Sequence, residues 1–154
     1  MRTFTEGSIA PDFELNDQNG ETFRLSNLNG TTVVLYFYPK DDTPGCTKEA
    51  CSFRDTYADY TARGIKVIGI SPDDAKKHTK FIDKYQLPFT LLSDENHQVC
   101  ELYGVWGLKK FMGREYMGVL RTTFVIAADG TIRKIYENVK PEEHAVEILG
   151  LFTE

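Results

Sequence analysis

Residues 36–55 read YFYPKDDTPGCTKEACSFRD. An apolar β-type run ends here in a polar turn, and the first two cysteines of the chain open a helical pattern. Thr43-Pro44 is a helix-start signal: a hydroxyl at the N-cap can accept a first-turn N–H, and proline at the first helical position lacks a donor that would have no partner there anyway. Cys46 then falls in the first turn, three residues after the threonine, where a capping box would carry Glu or Gln. A sulfur at that point sits among unpaired N–H groups at the positive end of the helix dipole, a placement that favours the nucleophilic thiolate. Cys46 is therefore the candidate nucleophile.

Outward from this stretch, residues 31–38 (TTVVLYFY) are β-branched and aromatic with no polar alternation past Thr32, as a central strand covered on both faces requires. Residues 13–15 and 22–25 flank Asn19-Gly20 and read as a small hairpin or two short extended pieces. Residues 46–63 read as one helix stopped by Gly64, with Phe53, Tyr57 and Tyr60 as its apolar stripe. A buried strand over 65–70 follows. Ser71-Pro72-Asp73 then forms a cap and turn before a helix over 74–85 whose inner face is Phe81, Ile82 and Tyr85. A third strand over 89–92, a short helix over 96–103, a hairpin of 122–127 with 131–136 around Asp129-Gly130, and a last helix starting at Pro141 complete the chain. Parallel-type strands joined by helices and followed by a hairpin predict a three-layer α/β domain with a mixed sheet.

A chain of 154 residues with 41% hydrophobic residues is long enough for one domain with a real core and short for two. A single domain over 1–154 is expected. A net charge of −5 argues against nucleic-acid or anionic-membrane partners, which need a basic face. The first fifteen residues contain no apolar core of signal-peptide length and the chain has no apolar run near bilayer length, so a cytoplasmic protein is expected. Asn29-Gly30-Thr31 fits a glycosylation sequon but reads better as a glycine turn before a strand. Three cysteines do not suit a disulfide scaffold.

Pro39-x-x-x-Thr43-x-x-Cys46 resembles the active-site motif of the peroxiredoxins. Cys51, with the intervening Thr47-Lys48-Glu49-Ala50, is similar to the resolving cysteine of the bacterioferritin comigratory protein or PrxQ type. The likeness extends from Ala10-Pro11-Asp12-Phe13 through Ser93-Asp94 and Gly104-Val105-Trp106-Gly107 to Arg121-Thr122-Thr123-Phe124, nearly the whole chain. It implies a thioredoxin-like fold and a peroxidase that needs no metal, haem or flavin. Cys46 would attack a peroxide, yielding a sulfenic acid that Cys51 condenses into an intramolecular disulfide. Thioredoxin or a similar dithiol protein would reduce the disulfide by exchange. The same resemblance makes Arg121 the active-site cation, Thr43 the group that orients the peroxide, and Pro39 a shield against water. A resolving thiol on the same chain makes a monomer sufficient, and a dimer remains compatible.

The plainer readings stand beside these. Arg121 alone reads as a solvated arginine at a strand end. Glu49, three residues after Cys46, either joins a charge network at the sulfur or faces water. Cys100 reads as a packed thiol, with a backup resolving role as the alternative. A metal site from Cys46, Cys51, His97 and Cys100 matches zinc-ligand spacing poorly. A dithiol oxidoreductase would carry C-x-x-C. A thioredoxin-fold binding module or holdase leaves the co-occurrence of Pro39, Thr43, Cys46 and Arg121 unexplained. Phe53, Trp106 and Phe111 are expected around the pocket mouth. In an ideal helix, residues five apart differ by about 140° around the axis and by about 8.6 Å between Cα atoms. A disulfide needs Cα atoms within about 7 Å. The implied Cys46–Cys51 bond therefore requires the helix to unwind.

Overall fold

The computed structural model describes residues 5–152; the ends of the expected 1–154 domain, residues 1–4 and 153–154, lie outside the described residues. A seven-stranded sheet has the order β2-β1-β5-β4-β3-β8-β9, with β1 Glu14–Asp17, β2 Thr22–Arg24, β3 Thr32–Phe37, β4 Ile65–Ser71, β5 Thr90–Ser93, β8 Thr122–Ile126 and β9 Ile132–Glu137. The remaining strands, β6 Trp106–Phe111 and β7 Arg114–Val119, pair only with each other. β3, β4 and β5 run parallel; β1 pairs antiparallel with β5 and β8 with β3, and the edge strands β2 and β9 pair antiparallel with β1 and β8. The uninterrupted apolar run of β3 is explained by its place: it lies between β4 and β8 and is buried from Val33 onward.

The helices are α1 Pro44–Asp55, α2 Tyr57–Ala62, α3 Ala75–Tyr85, α4 Gln98–Leu102 and α5 His144–Leu149. Alternate β3 residues feed two cores. Val34 and Tyr36 pack with Ala50 and Phe53 of α1, Phe81 of α3 and Ala145 and Ile148 of α5. Val33, Leu35 and Phe37 pack with Ala10, Phe13, Val99 and Cys100 of α4, and Tyr103. This is the expected three-layer arrangement with a mixed sheet. Gly69 of β4 stands opposite Tyr36, where a Cβ would come within 2.9 Å of the tyrosine ring; the missing side chain lets Tyr36 lie flat under α1, stacked on Phe53 at 4.8 Å. No helix among the described residues is long and apolar enough to cross a membrane.

The structure corrects several boundaries. The single helix expected over 46–63 is two, broken at Thr56, whose hydroxyl donates back to the Ser52 carbonyl at 2.8 Å and competes with the helical ladder. The cap of α3 is Asp74, which accepts from the Lys77 N–H, while Ser71 and Asp73 bond to each other instead. The last helix starts at His144, with residues 141–143 forming a turn. The β6–β7 hairpin carries no sequence signature because most of its side chains face solvent and show no period of two.

Candidate active site

After β3 the chain turns through Pro39 to Asp42, which holds φ at +56°, and reaches Thr43 in extended conformation at the start of α1. Thr43 is the N-cap, as expected, but its hydroxyl accepts no first-turn N–H. It donates to the Lys40 carbonyl at 2.9 Å, which leaves its lone pairs available to accept from another group. Pro44 occupies the first helical turn and Cys46 follows, 1% exposed, its side chain packed in the core cluster that also holds Tyr36 and Phe53.

Arg121 lies in the two-residue link between β7 and β8, 75 positions from Cys46 along the chain, and its Nη2 donates to Cys46 Sγ at 3.0 Å. Its Nη1 donates to Glu49 Oε1 at 3.0 Å. One planar guanidinium thus bridges a sulfur and a carboxylate one helical turn apart, a use of its fixed fork that a lysine could not reproduce. A Cβ at Gly45 would lie 2.8 Å from that same Nη2, so the glycine before Cys46 leaves the room the arginine occupies. Both open readings are decided here. Arg121 is mostly covered, and Glu49 is 1% exposed and paired rather than solvated.

Burial pushes the Glu49 carboxyl up to about 8, against the pull of Arg121 in the opposite direction. A folded-state value above the unfolded one means that the stabilising contribution is complete below about 4.5 and is lost as pH rises through about 8. From pH 5 to pH 8 the native chain should therefore lose more unfolding free energy than Glu49→Gln. Paired denaturant titrations at the two pH values check this, and equal losses in both proteins would contradict the assignment.

A cavity of about 630 Å³ opens beside this cluster, bounded by Pro39, Thr43, Gly45 and Arg121 on one side and by the β6–β7 hairpin, including Trp106 and Phe111, on the other. Phe53, expected at the mouth, lies instead in the closed core under α1, because its ring stacks on Tyr36. Lys109, which the sequence did not single out, also lines the cavity, and its amine donates to the Val119 carbonyl at 3.0 Å.

All three cysteines are free thiols. Cys51 shares the unbroken helix α1 with Cys46 and is partly exposed. Cys100 is fully buried in the core on the other face of the sheet, where burial and the Asp94 carboxylate push its thiol up. With Cys46 and Cys100 in cores on opposite faces of the sheet, the four residues do not come together as a metal site. His97 stacks flat on Trp106 at 4.0 Å instead. The cluster of potential metal-binding side chains found among the described residues is Asp41, Asp73 and His78.

Residues 7–135 match the AhpC/TSA family model. The chain belongs to the AhpC/TSA family. It is 48% identical to Peroxiredoxin Bcp of Bacillus subtilis, over 96% of this chain and 94% of that one, and 46% identical to Peroxiredoxin Bcp of Escherichia coli, over 100% and 99%. Among solved structures, a peroxidoxin BcpB of Mycobacterium tuberculosis aligns with a TM-score of 0.84 and 38% identity, over 96% of this chain and 95% of that one. A PrxQ of Xylella fastidiosa aligns with a TM-score of 0.92 and 28% identity, over 99% and 97%. The fold of this peroxiredoxin is accordingly the thioredoxin-like one. Leu108 sits 59% exposed on the outer hairpin opposite Met117.

Proposed function

We propose that this chain is a thiol peroxidase in which Cys46 is the attacking sulfur and Cys51 the resolving one. The observation that carries the reading is the Arg121 guanidinium bonded to Cys46 Sγ at the edge of an open cavity. The Cys46 thiolate attacks the terminal oxygen of a hydroperoxide. The O–O bond breaks, Cys46 becomes a sulfenic acid, and the departing alkoxide or hydroxide takes a proton to leave as alcohol or water. Arg121 and the N–H groups at the start of α1 face the oxygens on which negative charge develops. Thr43, its hydroxyl hydrogen already engaged with the Lys40 carbonyl, accepts a hydrogen bond from the hydroperoxide O–H and holds it in line. Pro39 walls the cavity and keeps bulk water from the sulfur.

In the second step the Cys51 thiolate attacks the Cys46 sulfenic sulfur, the S–S bond forms, and hydroxide leaves as water. A dithiol reductant of the thioredoxin type then restores both thiols by exchange, which suits a reducing compartment such as the cytoplasm and needs no second subunit. A Xanthomonas campestris bacterioferritin comigratory protein, 32% identical, is described for its alkyl peroxide reduction activity. Trp106, Phe111 and Met117 around this cavity supply apolar surface for an organic tail as well as room for hydrogen peroxide.

One equivalent of peroxide added to the reduced chain should yield, by intact mass and peptide mapping, Cys46 joined to Cys51 with Cys100 free. A coupled assay with thioredoxin, its reductase and NADPH should then show peroxide-dependent turnover. Turnover that survives Cys46→Ser would overturn the assignment of the nucleophile. Full activity in Cys51→Ser together with loss in Cys100→Ser would reverse the resolving thiol.

A further inference from the structure

Beneath the turn that carries Pro39 and Thr43 lies a closed hydrogen-bond network that the peroxidase chemistry does not use. Asp41 is 8% exposed and His78 of α3 fully buried. His78 Nδ1 lies 2.6 Å from Asp41 Oδ2, and Nε2 lies 3.0 Å from the Leu92 carbonyl. A carbonyl can only accept, so Nε2 carries a hydrogen, and the Nδ1–Oδ2 contact holds one proton between imidazole and carboxylate. The other Asp41 oxygen accepts from Tyr38 at 2.5 Å, and the Asp41 backbone N–H donates to Asp73 Oδ2 at 2.8 Å. Asp73 is itself fixed by the Ser71 hydroxyl at 2.8 Å. One residue on, Asp42 holds its left-handed backbone while its carboxylate accepts from Lys84 Nζ and Tyr85 Oη, each at 2.8 Å. Helix α3 thus grips the turn at two successive residues.

The geometry points to His78 as a positioning residue for the Cys46 site, acting through Asp41. Pro39, Lys40 and Thr43 of this turn line the cavity and Gly45 follows in the first turn of α1, whereas Arg121 reaches the same side from the β7–β8 link. The turn and the arginine belong to different parts of the chain, and their spacing is set by whatever holds the turn down. Three buried bonds on Asp41 do this, two residues before Thr43. Misplacement by about 1 Å of groups that align a reacting pair costs on the order of a hundredfold in rate.

The inference rests on the peroxidase reading, which the peroxide burst of the native chain and its loss in Cys46→Ser test separately. The distinguishing experiment compares two reactions of Cys46 in the reduced chain, well below the melting temperature of each variant. One is peroxide attack by stopped flow, which needs the aligned wall. The other is iodoacetamide alkylation followed by peptide mass, which does not. His78→Leu and Asp41→Ala should each slow peroxide attack by roughly ten- to a hundredfold. Alkylation should change by less than about threefold. The double variant should be no slower than either single one, because both remove the same bond. Asp41→Asn can still accept from Tyr38 and donate to Nδ1 of a neutral His78, and should stay within about threefold of the native rate. Peroxide attack within twofold of native in folded His78→Leu would overturn the proposal. So would equal loss in both reactions, multiplied losses in the double variant, or Asp41→Asn as slow as Asp41→Ala.

Discussion

Arg121→Met is expected to slow peroxide attack on Cys46 by at least about a hundredfold, on the order of 3 kcal/mol of lost electrostatic stabilisation. Methionine keeps the unbranched stem of the side chain and removes the guanidinium head with all five donors. The loss has two sources. The guanidinium bond to Sγ at 3.0 Å disappears, and so does the cation facing the oxygens as the O–O bond breaks. Glu49 loses its partner as well, and because Arg121 is the group that pulls its carboxyl down, that carboxyl moves further up and stays protonated as a buried neutral group. Arg121→Lys should fall between native and Met, because a single ammonium cannot hold Sγ and Glu49 at once. Stopped-flow measurement on protein shown to be folded by circular dichroism decides the matter. A Met variant within a few-fold of native would remove Arg121 from the site.

Cys51→Ser is expected to leave the first attack untouched while lowering thioredoxin-linked turnover at least about tenfold, with the Cys46 sulfenic acid persisting and advancing to sulfinic acid at excess peroxide. The stronger consequence concerns the helix between the two sulfurs. α1 is continuous from Pro44 to Asp55, so Cys46 and Cys51 stand about 8.6 Å apart at Cα by ideal geometry, beyond disulfide reach. Its first turns must open in each cycle. Opening breaks the bonds of Arg121 to Cys46 and Glu49 and an exposed Lys48–Glu142 pair that water screens. The far end stays anchored, since Arg54 Nη1 donates to the Tyr85 carbonyl at 2.7 Å. Hydrogen exchange by mass spectrometry should show peptides over 45–55 losing protection on oxidation while residues 33–37 and 67–70 stay protected in the sheet. Unchanged protection of 45–55, with the disulfide proved by mass, would rule out this opening.

The division between what was legible and what was not follows the range of the interactions involved. The β3 run, the Thr43-Pro44 start of α1, the Asn19-Gly20 and Asp129-Gly130 hairpins and the place of Cys46 in a first turn are all written in short stretches, because burial period, proline geometry and turn chemistry act over a few residues. The motif likeness then tied Pro39, Thr43, Cys46, Cys51 and Arg121 into one expected site. Their spacing also settled that Cys46 and Cys51 cannot bond within a regular helix. Local reading failed where long-range contacts decide. Thr43 faced a choice between capping its helix and bonding Lys40, and the tight turn at Asp42 selected the second. Phe53 fits equally a pocket mouth or a core until Gly69 makes room for Tyr36 beneath it. Glu49 could have been a solvated helix residue, and its burial means something only once Arg121 arrives from 72 positions away. Asp41 and His78, 37 residues apart, look like ordinary polar positions of a turn and a helix. The residue types and local conformations around Cys46 were therefore readable from the chain, whereas the charge pairs that surround it exist only because the sheet brings α1, α3 and the β7–β8 link to one edge and excludes water there.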